Sequence, residues 1–223
     1  IAHREGFGNT LAEGTMRAAR LIGGEAPNLA IHTMKGNSPR GHDHRIRWYE
    51  LFDTSVSSTG TIEAGGGGNR AQFGLPGQGN PFDPQDVVDT TAKVKGSMQF
   101  QDSLGVCFFN TRSDVPLLCE AGSAATGWDF TFEEAMQVGR RAVNLLKAFN
   151  LRHGIGPEMD RPSPRYGSIP VDGPAKGVGI MPHWDQMVHD YYRQMGWDVA
   201  TSRPLPQTLR SLGLEGVVAD LWP

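Results

Sequence analysis

The chain has only two cysteines, Cys107 and Cys119, among 223 residues. So few exclude a disulfide framework, and an iron–sulfur cluster, which takes four ligands, could not be held by this chain alone. Long apolar runs are missing too: none reaches the roughly 18 residues that a membrane-spanning helix takes. Concentrated charge of one sign is also absent. The 21 Lys and Arg and the 24 Asp and Glu are spread along the sequence and leave a net charge of −3, so neither nucleic acid nor an anionic membrane finds an electrostatic footprint. No charged segment followed by an apolar one suggests a secretory leader. The resulting expectation is a soluble, cytoplasmic protein whose partner is a small molecule or another protein.

Glycine and proline, by contrast, are plentiful at 29 and 15 residues. They cluster rather than spread, which marks loops and not disorder. Gly65-Gly66-Gly67-Gly68 begins a stretch carrying Gly74, Pro76, Gly77, Gly79 and Pro81, and a second runs from Pro157 to Pro174. The first lies in a loop insertion of about 61–83, longer than a compact domain usually carries without a functional reason. The length suits one core, so a single domain over 1–223 is expected.

The periodicity predicts a mainly α fold with at most a short strand or two. Thr10 with Glu13 reads as a capping box ahead of a helix stopped by Gly23-Gly24. Residues 29–34 look extended, and 46–56 suggest a second helix weakened by Asp53-Thr54-Ser55. Asp83 before Pro84 is a helix start, with Pro where its missing N–H costs nothing. Val87, Val88, Thr91, Val94 and Met98 follow as one helical stripe. Thr131 and Glu134 form another capping box before apolar residues at three- and four-residue spacing through Phe149. A last pair is expected at 184–195 and 205–212.

The chemistry concentrates in Asp102-Ser103-Leu104-Gly105-Val106-Cys107. Other stretches stand in order around it: Gly6-Phe7-Gly8-Asn9-Thr10-Leu11-Ala12-Glu13-Gly14; Lys35-Gly36 with Asp43 and Arg45; Val143-Asn144-Leu145 with Phe149-Asn150-Leu151-Arg152; and Asp190-Tyr191-Tyr192 through Gly196-Trp197-Asp198. Together they resemble the tungsten-containing aldehyde:ferredoxin oxidoreductase family. The family motifs are D-x-x-G-[LV]-C, G-x-G-x-x-L-A-E-G and K-G-x(6)-D-x-R, which the chain matches, and W-N-L-x-R-x-F-N-x-R and D-x-Y-Y-x-x-R-G-W-D, which it resembles, with Val143 at the Trp position and Met195 before Gly196.

The resemblance implies a helical C-terminal domain of a multidomain enzyme. Its cofactors would be a tungsten (or molybdenum) bis-pterin and a four-iron four-sulfur cluster with three ligands from a C-x-x-C-x-x-x-C run outside this chain. Cys107 would be the fourth ligand, Asp102 would accept hydrogen bonds from the pterin, and Gly105 and Val106 would bring backbone close to it. Lys35 would reach a phosphate or ring carbonyl. Read from the residues themselves, Cys119 in Leu117-Leu118-Cys119 is a core cysteine.

His32 is the catalytic candidate by this resemblance, although His32-Thr33-Met34-Lys35 is one residue longer than the family's H-x-K. In an extended segment one residue reverses the facing side, which leaves His42 and His44 as alternatives. As zinc ligands they are too few by themselves; lining a substrate pocket suits their acid–base range better. The implied activity is oxidation of aldehydes to carboxylic acids, with electrons passed to ferredoxin or a partner subunit. An aromatic acyl-CoA reductase of the benzoyl-CoA type is the alternative, and a cofactor-free helical scaffold a second.

Overall fold

A computed structural model describes residues 1–64 and 70–223. The four consecutive glycines of the expected insertion lie outside the described residues. Helices dominate: α1 (Phe7–Leu11), α2 (Gly14–Ile22), α3 (Ala26–Leu29), α4 (Trp48–Val56), α5 (Pro84–Val94), α6 (Ser97–Ser103), α7 (Phe108–Thr111), α8 (Val115–Thr126), α9 (Phe132–Arg152), α10 (Trp184–Met195), α11 (Pro206–Ser211) and α12 (Glu215–Leu221). Among the described residues there is no strand, only isolated bridges Thr33–Pro162 and Trp197–Pro204. The mainly α expectation holds.

The longest helix, α9, is the spine. Its start is the capping box read from the sequence: Thr131 accepts from the Glu134 N–H while Glu134 accepts from the Thr131 N–H. Along its roughly 30 Å it enters three apolar clusters in turn. Ala135 and Met136 pack with Phe100, Val115, Leu118 and Cys119 of α6 and α8. Val143 joins the largest cluster, built from Trp48, Leu51 and Phe52 of α4, Val87 and Val88 of α5, and Trp184, Met187, Tyr191 and Tyr192 of α10. Ala148 packs with Leu209, Leu212 and Leu221 around α11 and α12. Full burial of each large side chain contributes about 1.5–3 kcal/mol.

Two expected helices are divided. The Thr10–Glu13 capping box does not form: Thr10 lies inside α1, Ala12 and Glu13 separate it from α2, which opens on Gly14 at φ 78°, and the Glu13 carboxylate pairs instead with Arg4. The stripe from Val87 to Met98 is likewise split between α5 and α6 at Gly96, whose φ is 110°. The cause is tertiary, since the Gly96 carbonyl lies directly against Gly139 of α9.

Buried charge is unusual for a chain of this size. Three of its five lysines have nearly sealed side chains, with exposures of 4% at Lys35, 0% at Lys95 and 2% at Lys147. Each therefore has to be paired. Lys95 meets Asp53 and Glu63, the latter at 3.3 Å, and Asp53 also accepts the Glu63 and Ala64 N–H groups at 2.7 Å. That network explains why every residue of α4, Asp53-Thr54-Ser55 included, is buried. In the second network Asp160 sits between Lys35 and Lys147, and the Tyr192 hydroxyl donates to it.

Candidate functional site

Backbone pairing builds the site. The Met34 N–H donates to the Arg161 carbonyl and the Ser163 N–H to the His32 carbonyl, both at 2.8 Å. These bonds lay the loop of residues 31–45 along the 161–166 segment. Between them opens a cavity of about 350 Å³, lined among others by Arg40, His42, His44, Arg45, Arg165 and Tyr166.

His44 is the anchored member. Its side chain is 1% exposed, and Nδ1 lies 2.5 Å from the Tyr166 hydroxyl. Its Nε2 faces Glu50 Oε2 at 3.3 Å without a hydrogen bond. Burial lowers its pKa, with opposition from Glu50. His42 is more open, and its Nε2 lies 3.0 Å from the same Glu50 oxygen. Arg47 at 3.3 Å and Arg40 at 3.5 Å also meet the Glu50 carboxylate. Asp43 accepts from the Arg45 backbone and guanidinium, and that hydrogen bond holds its carboxyl below the usual range.

His42, His44 and Glu50 offer three ligand atoms within 4.8 Å of one another. The charge environment disfavours a dication there, because two guanidiniums already neutralise the only carboxylate of the set. Sequence reasoning missed Glu50, which sits on the first turn of α4 as part of an ordinary helical pattern, and also Tyr166 and Arg165, which only the backbone pairing brings in.

His32 does not line this cavity. It is buried, with Nδ1 2.7 Å from the Thr33 carbonyl. The Lys35 ammonium, expected to be free for a pterin, is turned inward: it pairs with Asp160 and donates to the Ser55 carbonyl at 2.5 Å. Burial pushes its pKa down despite the neighbouring carboxylate.

Asp102, Gly105, Val106 and Cys107 form a separate surface, none of them lining the histidine cavity. Asp102 is exposed at the end of α6, and its carboxylate makes no hydrogen bond with the described residues. Gly105 has φ 71° and open space where a Cβ would point. Cys107 is an exposed free thiol at the N-cap of α7, beside Phe109 at 73% exposure. Cys119 is buried, as its apolar neighbours suggested. An outward thiol, an unpartnered acceptor and an uncrowded glycine fit a bulky cofactor whose remaining ligands come from elsewhere.

A profile described as "Aldehyde ferredoxin oxidoreductase, domains 2 & 3" matches residues 1–214. The chain is 32% identical over 232 residues to the tungsten-containing aldehyde ferredoxin oxidoreductase of Pyrococcus furiosus, covering 96% of this chain and 35% of the relative. The protein of the same name from Pyrococcus horikoshii is 30% identical, with the same coverage. An aliphatic sulfonate oxidoreductase, WOR-like subunit, from Pyrococcus furiosus is 28% identical over 96% of this chain and 33% of its own length. The chain thus spans about a third of the length of these relatives. In fold it is similar to the active-site complex BamBC of benzoyl coenzyme A reductase bound to 1,5-dienoyl-CoA, with TM-score 0.59 and 18% identity over 98% of this chain and 38% of that one. No helix among the described residues is long and apolar enough to cross a membrane.

Proposed function

The chain belongs to the aldehyde ferredoxin oxidoreductase family, and from that premise we propose that it forms one wall of a tungsten (or molybdenum) bis-pterin site in a larger oxidoreductase. The relatives' names support tungsten, and their greater length supports further domains. The observation that carries the reading is the exposed Asp102–Cys107 surface, whose Asp102 carboxylate and Cys107 thiol make no hydrogen bond with the described residues.

In this reading Cys107 gives its thiolate to a four-iron cluster and Asp102 accepts hydrogen bonds from pterin N–H donors, a task suited to an acceptor-only carboxylate. Gly105 and Val106 keep the intervening backbone clear. Lys35 retains one N–H beyond those given to Asp160 and Ser55, so its main contribution is to hold the loop. When bound, the tungstopterin supplies two-electron exchange and the cluster a single-electron exit toward ferredoxin or a partner subunit.

The reaction is an aldehyde plus water giving a carboxylic acid, two protons and two electrons. His42 and His44 line the cavity, and in this reading His42, the more open of the two, receives a proton that His44 passes on through its contacts with Glu50 and Tyr166; neutral imidazole is the competent form. The fold similarity to a benzoyl coenzyme A reductase complex supports a second reading, reduction of an aromatic acyl-CoA by the same cofactor.

Metal analysis of the full-length protein tests the proposal. Tungsten or molybdenum together with about four irons per chain is the expected result. Absence of both metals from protein matured in its native host leaves the cofactor-free scaffold instead. Turnover of an aldehyde rather than an acyl-CoA separates the two enzymatic readings.

A further inference from the structure

The lining of the histidine cavity carries three guanidinium groups, Arg40, Arg45 and Arg165, against one carboxylate, Asp43. Arg45 is committed to Asp43. Arg165 is exposed and makes no ion pair among the described residues. Arg40 touches Glu50 only at 3.5 Å through one terminal nitrogen, and its Nε is buried without a hydrogen-bond partner. Glu50 cannot neutralise the excess, since Arg40, Arg47 and His42 already share it.

Resting on the reading of this cavity as the substrate's, we propose that it selects an aldehyde with a second, anionic end: a short semialdehyde whose carboxylate is held by Arg40 and Arg165. A carboxylate is the acceptor that a guanidinium fork matches with two parallel N–H bonds, and the partly exposed Arg40 and exposed Arg165 side chains leave guanidinium N–H groups free to give them. At about 350 Å³ the cavity is at the small end of ligand sites, which run from about 300 to 1,000 Å³. That size suits a short chain and excludes a whole coenzyme A. A divalent cation at His42, His44 and Glu50 would add positive charge where it is already in excess.

The test uses the full-length, metal-loaded enzyme and two aldehydes of equal carbon number, succinic semialdehyde and butyraldehyde. Wild type should show a higher kcat/KM for the semialdehyde. In both Arg40→Gln and Arg165→Gln the ratio of the two kcat/KM values should fall about tenfold or more, the size of a lost charge-assisted hydrogen bond. Calorimetric titration with succinate and butyrate gives a readout independent of turnover: succinate should bind more tightly, and Arg40→Gln should remove the difference. If both rates fall together while their ratio holds, the cavity receives substrate but the anionic end is wrong. If neither rate changes and metal content is intact, the substrate lies elsewhere, and both the inference and the cavity reading fall. Arg165 is exposed, so its variant stays informative should Arg40→Gln fold poorly.

Discussion

Gly139 of α9 and Gly96 between α5 and α6 meet backbone to backbone: a Cβ on Gly139 would lie 1.8 Å from the Gly96 carbonyl oxygen. Gly139→Ala therefore has to push the two segments apart. Alanine recovers about 0.5–1 kcal/mol of helix preference, but overpacking costs about 1–3 kcal/mol, so the net change is destabilising. Thermal denaturation should show a lower Tm; an unchanged or raised Tm would mean that the contact is looser than described.

Lys95→Met removes a fully buried ammonium and leaves Asp53 and Glu63 facing each other. Breaking a buried pair from one side costs about 3–5 kcal/mol. Lys93→Met, on the neighbouring exposed position of α5, should stay within about 0.5 kcal/mol. Denaturant midpoints of the two variants make the comparison.

Burial by itself would raise the Asp160 carboxyl, but Lys35 and Lys147 beside it hold it below the ordinary carboxylate value. A folded pKa below the unfolded one means that stability from this group is complete above the unfolded value of about 3.9 and is lost as pH falls through the folded one. Asp160→Asn should lower stability at neutral pH and flatten the acid limb of a stability–pH curve. An acid limb as steep as that of wild type would assign the dependence to other carboxylates.

Cys107→Ser in the full-length protein should lose or degrade the cluster, because an alkoxide is a poor ligand for iron, while the helical circular dichroism stays near that of wild type. Cys119→Ser should keep its iron. Equal iron content and equal visible spectra in the two would remove Cys107 as the ligand.

His42→Ala and His44→Ala should lower turnover by about 10²–10⁴-fold if they handle the proton, with tungsten content unchanged. His32→Ala, packed against the Thr33 carbonyl, should alter turnover little. The reverse order of effects would return the acid–base role to His32 and show that the extra residue before Lys35 is absorbed by the loop.

Local signals were legible in the sequence and long-range ones were not. The Thr131–Glu134 and Asp83–Pro84 starts are written in residues within one turn of each other, and both form. Helix α8 lacks a clear sequence signature although Asp114 caps it through the Leu117 N–H, because Ala121-Gly122-Ser123-Ala124-Ala125 blurs the apolar stripe. The break at Gly96 depends on Gly139, and the inward turn of Lys35 depends on Asp160; neither partner is near in sequence. His42 and His44 were recognisable as a pair, but their meaning changed once Glu50, Arg40 and Arg165 gathered around them.

The sealed networks of Asp53, Lys95 and Glu63 and of Lys35, Asp160 and Lys147 also bear on how the fold responds to heat. Exposing polar surface on unfolding lowers the heat-capacity increment that apolar surface raises. A charged interior should thus flatten the stability curve relative to an all-aliphatic core of equal size. Because the hydration of ions weakens on warming, the cost of keeping these groups dry also declines with temperature. The penalty for burying these charges is consequently smaller in hot solution than in cold.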